Sequence, residues 1–134
     1  MSILSAEPAA VGASEFGDLS IAVVIPCLNE EVSIGAVVED FRRVLPGADV
    51  YVYDNNSTDG TGDAARAAGA IVRLEPEPGK GNVVRRIFSD IDADIYVLVD
   101  GDATYPADAA PEMIRLLLDD HLDMVCGTRE AEEK

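Results

Sequence analysis

Positive charge is what this chain has least of: 10 Lys and Arg stand against 26 Asp and Glu over 134 residues, a formal net charge of −16. That balance excludes DNA, RNA or an anionic membrane as an unaided partner, because like charges repel on approach. It also sets a condition on any phosphate ligand, which needs a local cation to reverse the field. Cysteine is scarce. Cys27 and Cys126 are too few for a disulfide framework, and both fall in or beside apolar runs, where a thiol packs as a small apolar side chain. The single histidine, His121, precedes the last apolar run and reads as structural. No stretch approaches the roughly 20 apolar residues that cross a bilayer. Residues 1–19 hold acids but no basic segment and no long apolar core, so no targeting peptide is read there. A cytoplasmic setting is expected, with the inner face of a membrane as an alternative location. Repeats and low-complexity linkers are missing as well.

What is present is 48% apolar residues, enough for a folded core in one domain. Residues 1–19, rich in Ala, Ser, Gly and Glu, read as a flexible arm, and residues 20–134 as the domain. Ile21-Ala22-Val23-Val24-Ile25 is a continuous apolar run, the pattern of a strand buried on both faces, with Pro26 expected to end it. Ile34, Val37, Val38, Phe41 and Leu45 then fall on one face of a helix over residues 30–45. Four further strands are expected at 49–53, 70–74, 94–99 and 122–126. Three further helices are expected: one capped by Ser57 or Thr58 and running to Ala68, one from Gly81, and one over 108–120. Alternating strands and helices imply an α/β fold, a mainly parallel Rossmann-like sheet of about five strands with helices on both faces. In such sheets ligands bind outside the carboxyl ends of the strands.

Every polar motif falls at such an end. Pro26-Cys27-Leu28-Asn29-Glu30-Glu31 follows the first strand, where Asn29 either caps the next helix or, with Glu30, faces a base or ribose. Asp54-Asn55-Asn56-Ser57-Thr58-Asp59-Gly60-Thr61 follows the second; Asp54 suits a ring N–H of a pyrimidine or guanine, and Asp59 suits a helix N-terminus. Gly79-Lys80-Gly81 follows the third, its glycines allowing close backbone approach to a phosphate and Lys80 adding a point charge. It lacks the spacing of a Walker loop. Asp100-Gly101-Asp102 follows the fourth, a pair of carboxylates suited to a hard divalent cation, Mg²⁺ or Mn²⁺, whose shell waters or phosphates complete. Acids for a metal beside a lysine for phosphate point to a nucleoside-diphosphate site.

In their order and spacing these four motifs resemble the donor half of family 2 glycosyltransferases, in particular the dolichyl- or polyprenyl-phosphate mannosyl- and glucosyltransferase branch. The resemblance runs over about residues 20–129. It implies a GT-A nucleotide-sugar fold and transfer of a hexose from a UDP- or GDP-hexose, with a lipid phosphate as the implied acceptor. Pro26, Asn29, Glu30, Asp54, Asn55, Lys80 and Gly81 are then the nucleotide-binding candidates, Lys80 near the base or phosphates. Asp100 and Asp102 are the catalytic metal candidates, with Asp102 expected to touch Mg²⁺ or Mn²⁺ most directly. Gly127-Thr128-Arg129 matches an element closing the donor half. One departure is Asn55-Asn56, where the family commonly shows Asp-Gly. Family members continue about a hundred residues further into an acceptor half, so the expectation is a donor half, weakly active or inactive alone, with exposed apolar surface favouring self-association.

Other classes fit less well. A sugar-phosphate nucleotidyltransferase needs a glycine-rich loop where Pro26-Cys27-Leu28-Asn29 stands, and a receiver domain needs an acid pair after the first strand and a phosphorylatable Asp after the third, which ends here in Leu74-Glu75-Pro76. A nucleotide-sugar-binding or assembly module without catalysis is the main alternative.

Overall fold

The structure is a computed structural model describing residues 1–5, 16–103 and 106–126. Its elements are β1 (Ser2–Ser5), β2 (Ile21–Cys27), α1 (Glu31–Val44), β3 (Asp49–Asp54), α2 (Thr61–Ala67), β4 (Ile71–Leu74), α3 (Lys80–Asp90), β5 (Ile95–Leu98), α4 (Ala110–Asp119) and β6 (Met124–Cys126), with a 3₁₀ turn over Ala107–Ala109 before α4. They build a six-stranded sheet in the order β4-β3-β2-β5-β1-β6. The β2–β3, β2–β5 and β3–β4 pairs are parallel, as the apolar runs imply.

Two expectations are corrected. The supposed flexible arm contributes β1, which lies antiparallel between β5 and β6. Ile3 is fully buried there, and that burial is the driving force for ordering the segment. Nor does Pro26 end its strand: it pairs in register with Tyr53, and β2 runs on to Cys27. The reason lies in hydrogen-bond parity. Val24 C=O accepts from Val99 N–H, so alternate residues of β2 face β5, whereas Cys27 C=O accepts from Asn55 N–H on the β3 side. The missing N–H of Pro26 therefore points to the side where β5 has already ended at Leu98.

Helices cover both faces of the sheet. On one, α1, α2 and α4 bury Ile34, Val37, Val38, Phe41, Ala65, Ile114 and Leu117 against Val23, Ile25, Val52 and Val97. On the other, α3 buries Val83 and Ile87 against Ala22, Val24, Tyr53 and Tyr96. Phe88 is 45% exposed and meets Tyr96 edge-on at 4.8 Å between ring centroids. The chain winds from β2 outward to β3 and β4, then returns across α3 to β5 on the other side of β2. That reversal opens a crevice between the carboxyl ends of β2 and β5.

Candidate nucleotide-diphosphate and metal site

Four loops meet at this rim, and hydrogen bonds between them fix their shape. The β2–α1 and β3–α2 loops are clasped together. Asn29 N–H donates to Ser57 Oγ at 2.9 Å, and Asn29 Oδ1 accepts from Thr58 N–H at 2.8 Å. Glu30 N–H donates to the buried Thr61 Oγ1 at 2.9 Å, whose own hydroxyl donates to Asp59. Gly60 N–H donates to Glu31 Oε1 at 2.9 Å, and Glu31 N–H to Asp59 Oδ2 at 3.3 Å. These partners lie about 30 residues apart in sequence, which explains two differences from expectation. Neither Ser57 nor Thr58 caps α2, which begins at Thr61, and no side chain caps α1 at Glu30. Asn29 and Asn56 hold left-handed backbone, with φ of 55° and 69°, a conformation asparagine tolerates better than most residues.

Asp54 is tied locally: its Oδ1 accepts from Ser57 N–H at 2.9 Å, and Gly62 abuts its other oxygen. Asn55 is buried, and its side-chain amide bonds into the β4–α3 loop. The loops enclose an open cleft of about 230 Å³ lined by Pro26, Cys27, Leu28, Glu30, Asn55, Gly79, Lys80, Val83 and Asp100. The structure thus brings together Pro26, Glu30, Asn55, Lys80 and Asp100 of the expected residues. Asn29, Asp54, Gly81 and Asp102 do not line the cleft, although no protein atom would meet a Cβ at Gly81 within 4 Å. Cys27, Leu28 and Val83 also line the cleft but were not singled out as binding residues in the sequence, whereas Gly79 was, as a glycine allowing close approach to a phosphate. Their nearness to the motif residues was the available signal. A second hollow of about 330 Å³, between Phe16–Ile21 and Val44–Ala48 beside the start of β2, has no titratable side chain in its lining.

Asp100 and Asp102 sit on the turn after β5. Gly101 is needed between them, because a Cβ there would fall 2.6 Å from Cys27 Sγ and 3.3 Å from Glu30 Cγ. Ser33 Oγ donates to Gly101 C=O at 2.6 Å, anchoring the turn to α1. Ala103 follows with φ of 63°, a strained position for a residue with a Cβ. Lys80 Nζ reaches Asp100 Oδ1 at 2.5 Å. The field at the rim is strongly negative. Glu30 is pushed above its usual carboxylate range, first by burial and then by Asp102, Asp100 and Asp59. Burial, then Glu30, Asp54 and Asp100, raise the Cys27 thiol far above its ordinary value, so Cys27 is an inert packing group.

No set of three His, Cys, Asp or Glu side chains forms a metal cage among the described residues. The rim offers two carboxylates on one turn, with Asp102 exposed, Asp100 part-exposed and Glu30 beside them. Mg²⁺ is commonly held by one or two carboxylates plus substrate phosphates and water, so an open oxygen set of this kind fits a divalent cation. The crowding that raises Glu30 is the electrostatic mark of a place where such a cation is stabilised.

A sheet with this reversal, and a cleft lined by a lysine and carboxylates at its rim, define an α/β protein of the GT-A type. The comparisons with known proteins agree. The chain belongs to glycosyl transferase family 2, whose profile matches residues 22–134. Protein RfbJ of Shigella flexneri is 56% identical over 115 residues, covering 86% of this chain and 89% of that protein. A dolichyl-phosphate hexose transferase of Haloferax volcanii is 38% identical over 115 residues, 85% of this chain but 49% of that protein. Among solved structures, glucosyl-3-phosphoglycerate synthase of Mycobacterium tuberculosis bound to UDP superposes with a TM-score of 0.68 at 31% identity, over 77% of this chain and 41% of that one. The same enzyme has been solved with Mn²⁺, UDP-glucose and phosphoglyceric acid, at a TM-score of 0.64 and 30% identity over 80% of this chain and 40% of that one. The chain spans nearly all of RfbJ but under half of these last relatives. No described helix is long and apolar enough to cross a membrane. Gly127-Thr128-Arg129 and the side chain of Cys126 lie outside the described residues.

Proposed function

We propose that this chain binds the donor of a hexosyltransferase: a nucleoside-diphosphate hexose in the cleft, UDP being the first base to test, with a lipid phosphate as acceptor and a cytoplasmic setting. The observation that carries the reading is the meeting of Lys80, Glu30 and Asp100 at one cleft, with Asp102 two residues on along the same turn, at the sheet's reversal point and the N-terminus of α3. Nucleoside diphosphates bound by solved relatives, and Mn²⁺ in one of them, support it.

In this reading Asp102 and Asp100 would hold Mg²⁺ or Mn²⁺, which when bound supplies Lewis-acid stabilisation to the departing diphosphate. Lys80 and the N-terminus of α3 stabilise the same growing charge on the bridging oxygen. Lys80, which rests on Asp100, would turn from that carboxylate to the diphosphate when donor binds. Pro26 and Leu28 form one wall for the base, and the buried floor of Val83 and Cys27 excludes water from it. A phosphate acceptor arrives already ionised, so its attack needs no protein base. The residues here span under half of the solved relatives, and we expect this span to bind donor and transfer slowly.

Titration calorimetry with UDP and GDP, with and without Mn²⁺, tests the donor reading. Metal-dependent binding of one nucleotide is the expected result, and binding of neither overturns it. Supplying a polyprenyl phosphate and labelled sugar nucleotide then tests the acceptor: labelled lipid supports transfer, and donor binding without labelled lipid leaves a binding module.

A further inference from the structure

The β4–α3 loop Glu75-Pro76-Glu77-Pro78 has an unusual polar ledger. Its two prolines supply no N–H, yet its four carbonyls sit beside a cleft with few donors of their own. Each is met by an asparagine side chain. Asn55 Nδ2 donates to Glu75 C=O and to Glu77 C=O, both at 2.8 Å. Asn56 Nδ2 donates to Pro76 C=O at 2.9 Å, and Asn82 Nδ2 to Pro78 C=O at 2.9 Å. Asn55 also closes the loop from the other side, its Oδ1 accepting from Gly79 N–H at 3.0 Å. Gly79 carries φ of 112° and immediately precedes Lys80, the first residue of α3.

We infer that Asn55 is a positioning residue, which sets the angle of the Gly79 peptide and so aims Lys80 at Asp100 and the diphosphate, rather than a residue that reads the nucleotide base. Both amide protons of Asn55 are spent on loop carbonyls, so it has no donor left for a base. Its reach is specific to amide chemistry. Aspartate, of the same size, accepts from Gly79 but places a carboxylate against two carbonyl oxygens. The Asn56 and Asn82 side chains hold the neighbouring carbonyls and do not reach Gly79 N–H; Asn82 meets Gly79 only through its backbone, donating its N–H to Gly79 C=O at 3.1 Å in the first turn of α3, so of the three side chains only that of Asn55 bonds Gly79. The inference rests on the role proposed above for Lys80, but the loop brace has its own test.

Amide hydrogen exchange on the ligand-free chain reads the brace directly. In Asn55→Ala, exchange at Gly79, whose N–H loses its Asn55 Oδ1 acceptor, should quicken about tenfold, the scale of one buried hydrogen bond lost. Unchanged exchange at Gly79 overturns the inference. Binding then reads the aim of Lys80: Asn55→Asp and Asn55→Ala, if folded at the assay temperature, should weaken UDP about tenfold while uridine shifts less than about twofold. Adding Lys80→Ala to either should cost nothing further, because the two act through one contact. Uridine weakening in step with UDP, or additive losses with Lys80→Ala, overturns the inference by giving Asn55 a direct role. If the unaltered chain binds neither UDP nor GDP, the donor reading fails, and hydrogen exchange still decides the brace.

Discussion

Lys80 and Asp100 lie 2.5 Å apart with both side chains partly in water, a pair whose mutual attraction is modest but whose competition with a metal is direct. Replacing Lys80 should therefore move two affinities in opposite directions. In Lys80→Ala, Mn²⁺ should bind the ligand-free chain about two- to fivefold more tightly, the scale of one exposed ion pair removed. UDP binding in the presence of Mn²⁺ should weaken about tenfold, the scale of one charged hydrogen bond. Calorimetric titration of each ligand checks both signs; a loss in both would mean that Lys80 helps to build the metal site instead of competing for it. Gly101 provides a second residue-scale test. A methyl at this position meets Cys27 Sγ, so Gly101→Ala should destabilise by about 1–3 kcal/mol, the cost of overpacking. Truncating the obstacle should restore part of that loss. The Cys27→Ala/Gly101→Ala pair is expected to unfold at a higher denaturant concentration than the sum of its single changes implies, and simple additivity would refute the contact.

At the scale of elements, the clasp between the β2–α1 and β3–α2 loops has a pH signature. Asp59 is held below its ordinary range, first by the Thr61 hydroxyl and then by backbone N–H donors, and Glu75 is likewise lowered by Glu77 N–H and Arg86. The folded chain therefore binds these protons less readily than the unfolded one. Their stabilisation is full above the ordinary carboxylate pKa and lost as pH falls through the lowered value. Asp59→Asn should be less stable at neutral pH, with the gap to the unaltered chain closing below about pH 4; a gap constant with pH would place the loss elsewhere. Glu30 works in the opposite sense, since its raised pKa makes its proton easier to bind in the folded state. Strand β1 carries its own test: Ile3→Ala should cost about 2–5 kcal/mol in urea unfolding, as for a fully buried aliphatic side chain. Five strands and four helices were legible because long apolar runs and helical stripes announce them. β1 was not, for Ser2-Ile3-Leu4-Ser5 has only two apolar residues, and its partners β5 and β6 lie about ninety residues or more away. The start of α2 at Thr61 was hidden for a related reason, since the polar residues before it answer to Asn29, Glu30 and Glu31 rather than to their own helix.

Across the whole molecule, the sheet's reversal at β2 gathers four strand ends into one lip, and this gathering was readable from the order of motifs alone. What the order could not separate was cleft-lining residues from those that hold the lip in shape. Lys80, Glu30 and Asp100 face the cleft, whereas of those chosen on the same grounds Asn29 bonds to the neighbouring loop and Asp54 within its own. Two prolines in the Glu75-Pro76-Glu77-Pro78 loop were the unread hint that side-chain amides must serve its carbonyls. The net charge of −16 makes a cation at the lip the condition for any anionic ligand to approach. The most direct test is UDP binding measured by calorimetry with and without Mn²⁺ in the unaltered chain and in the Asp100→Asn/Asp102→Asn variant. The account predicts strong dependence on Mn²⁺ in the first and none in the second, with residual affinity equal to that of the metal-free chain. A variant that binds UDP as tightly, and as dependently on Mn²⁺, as the unaltered chain would contradict it.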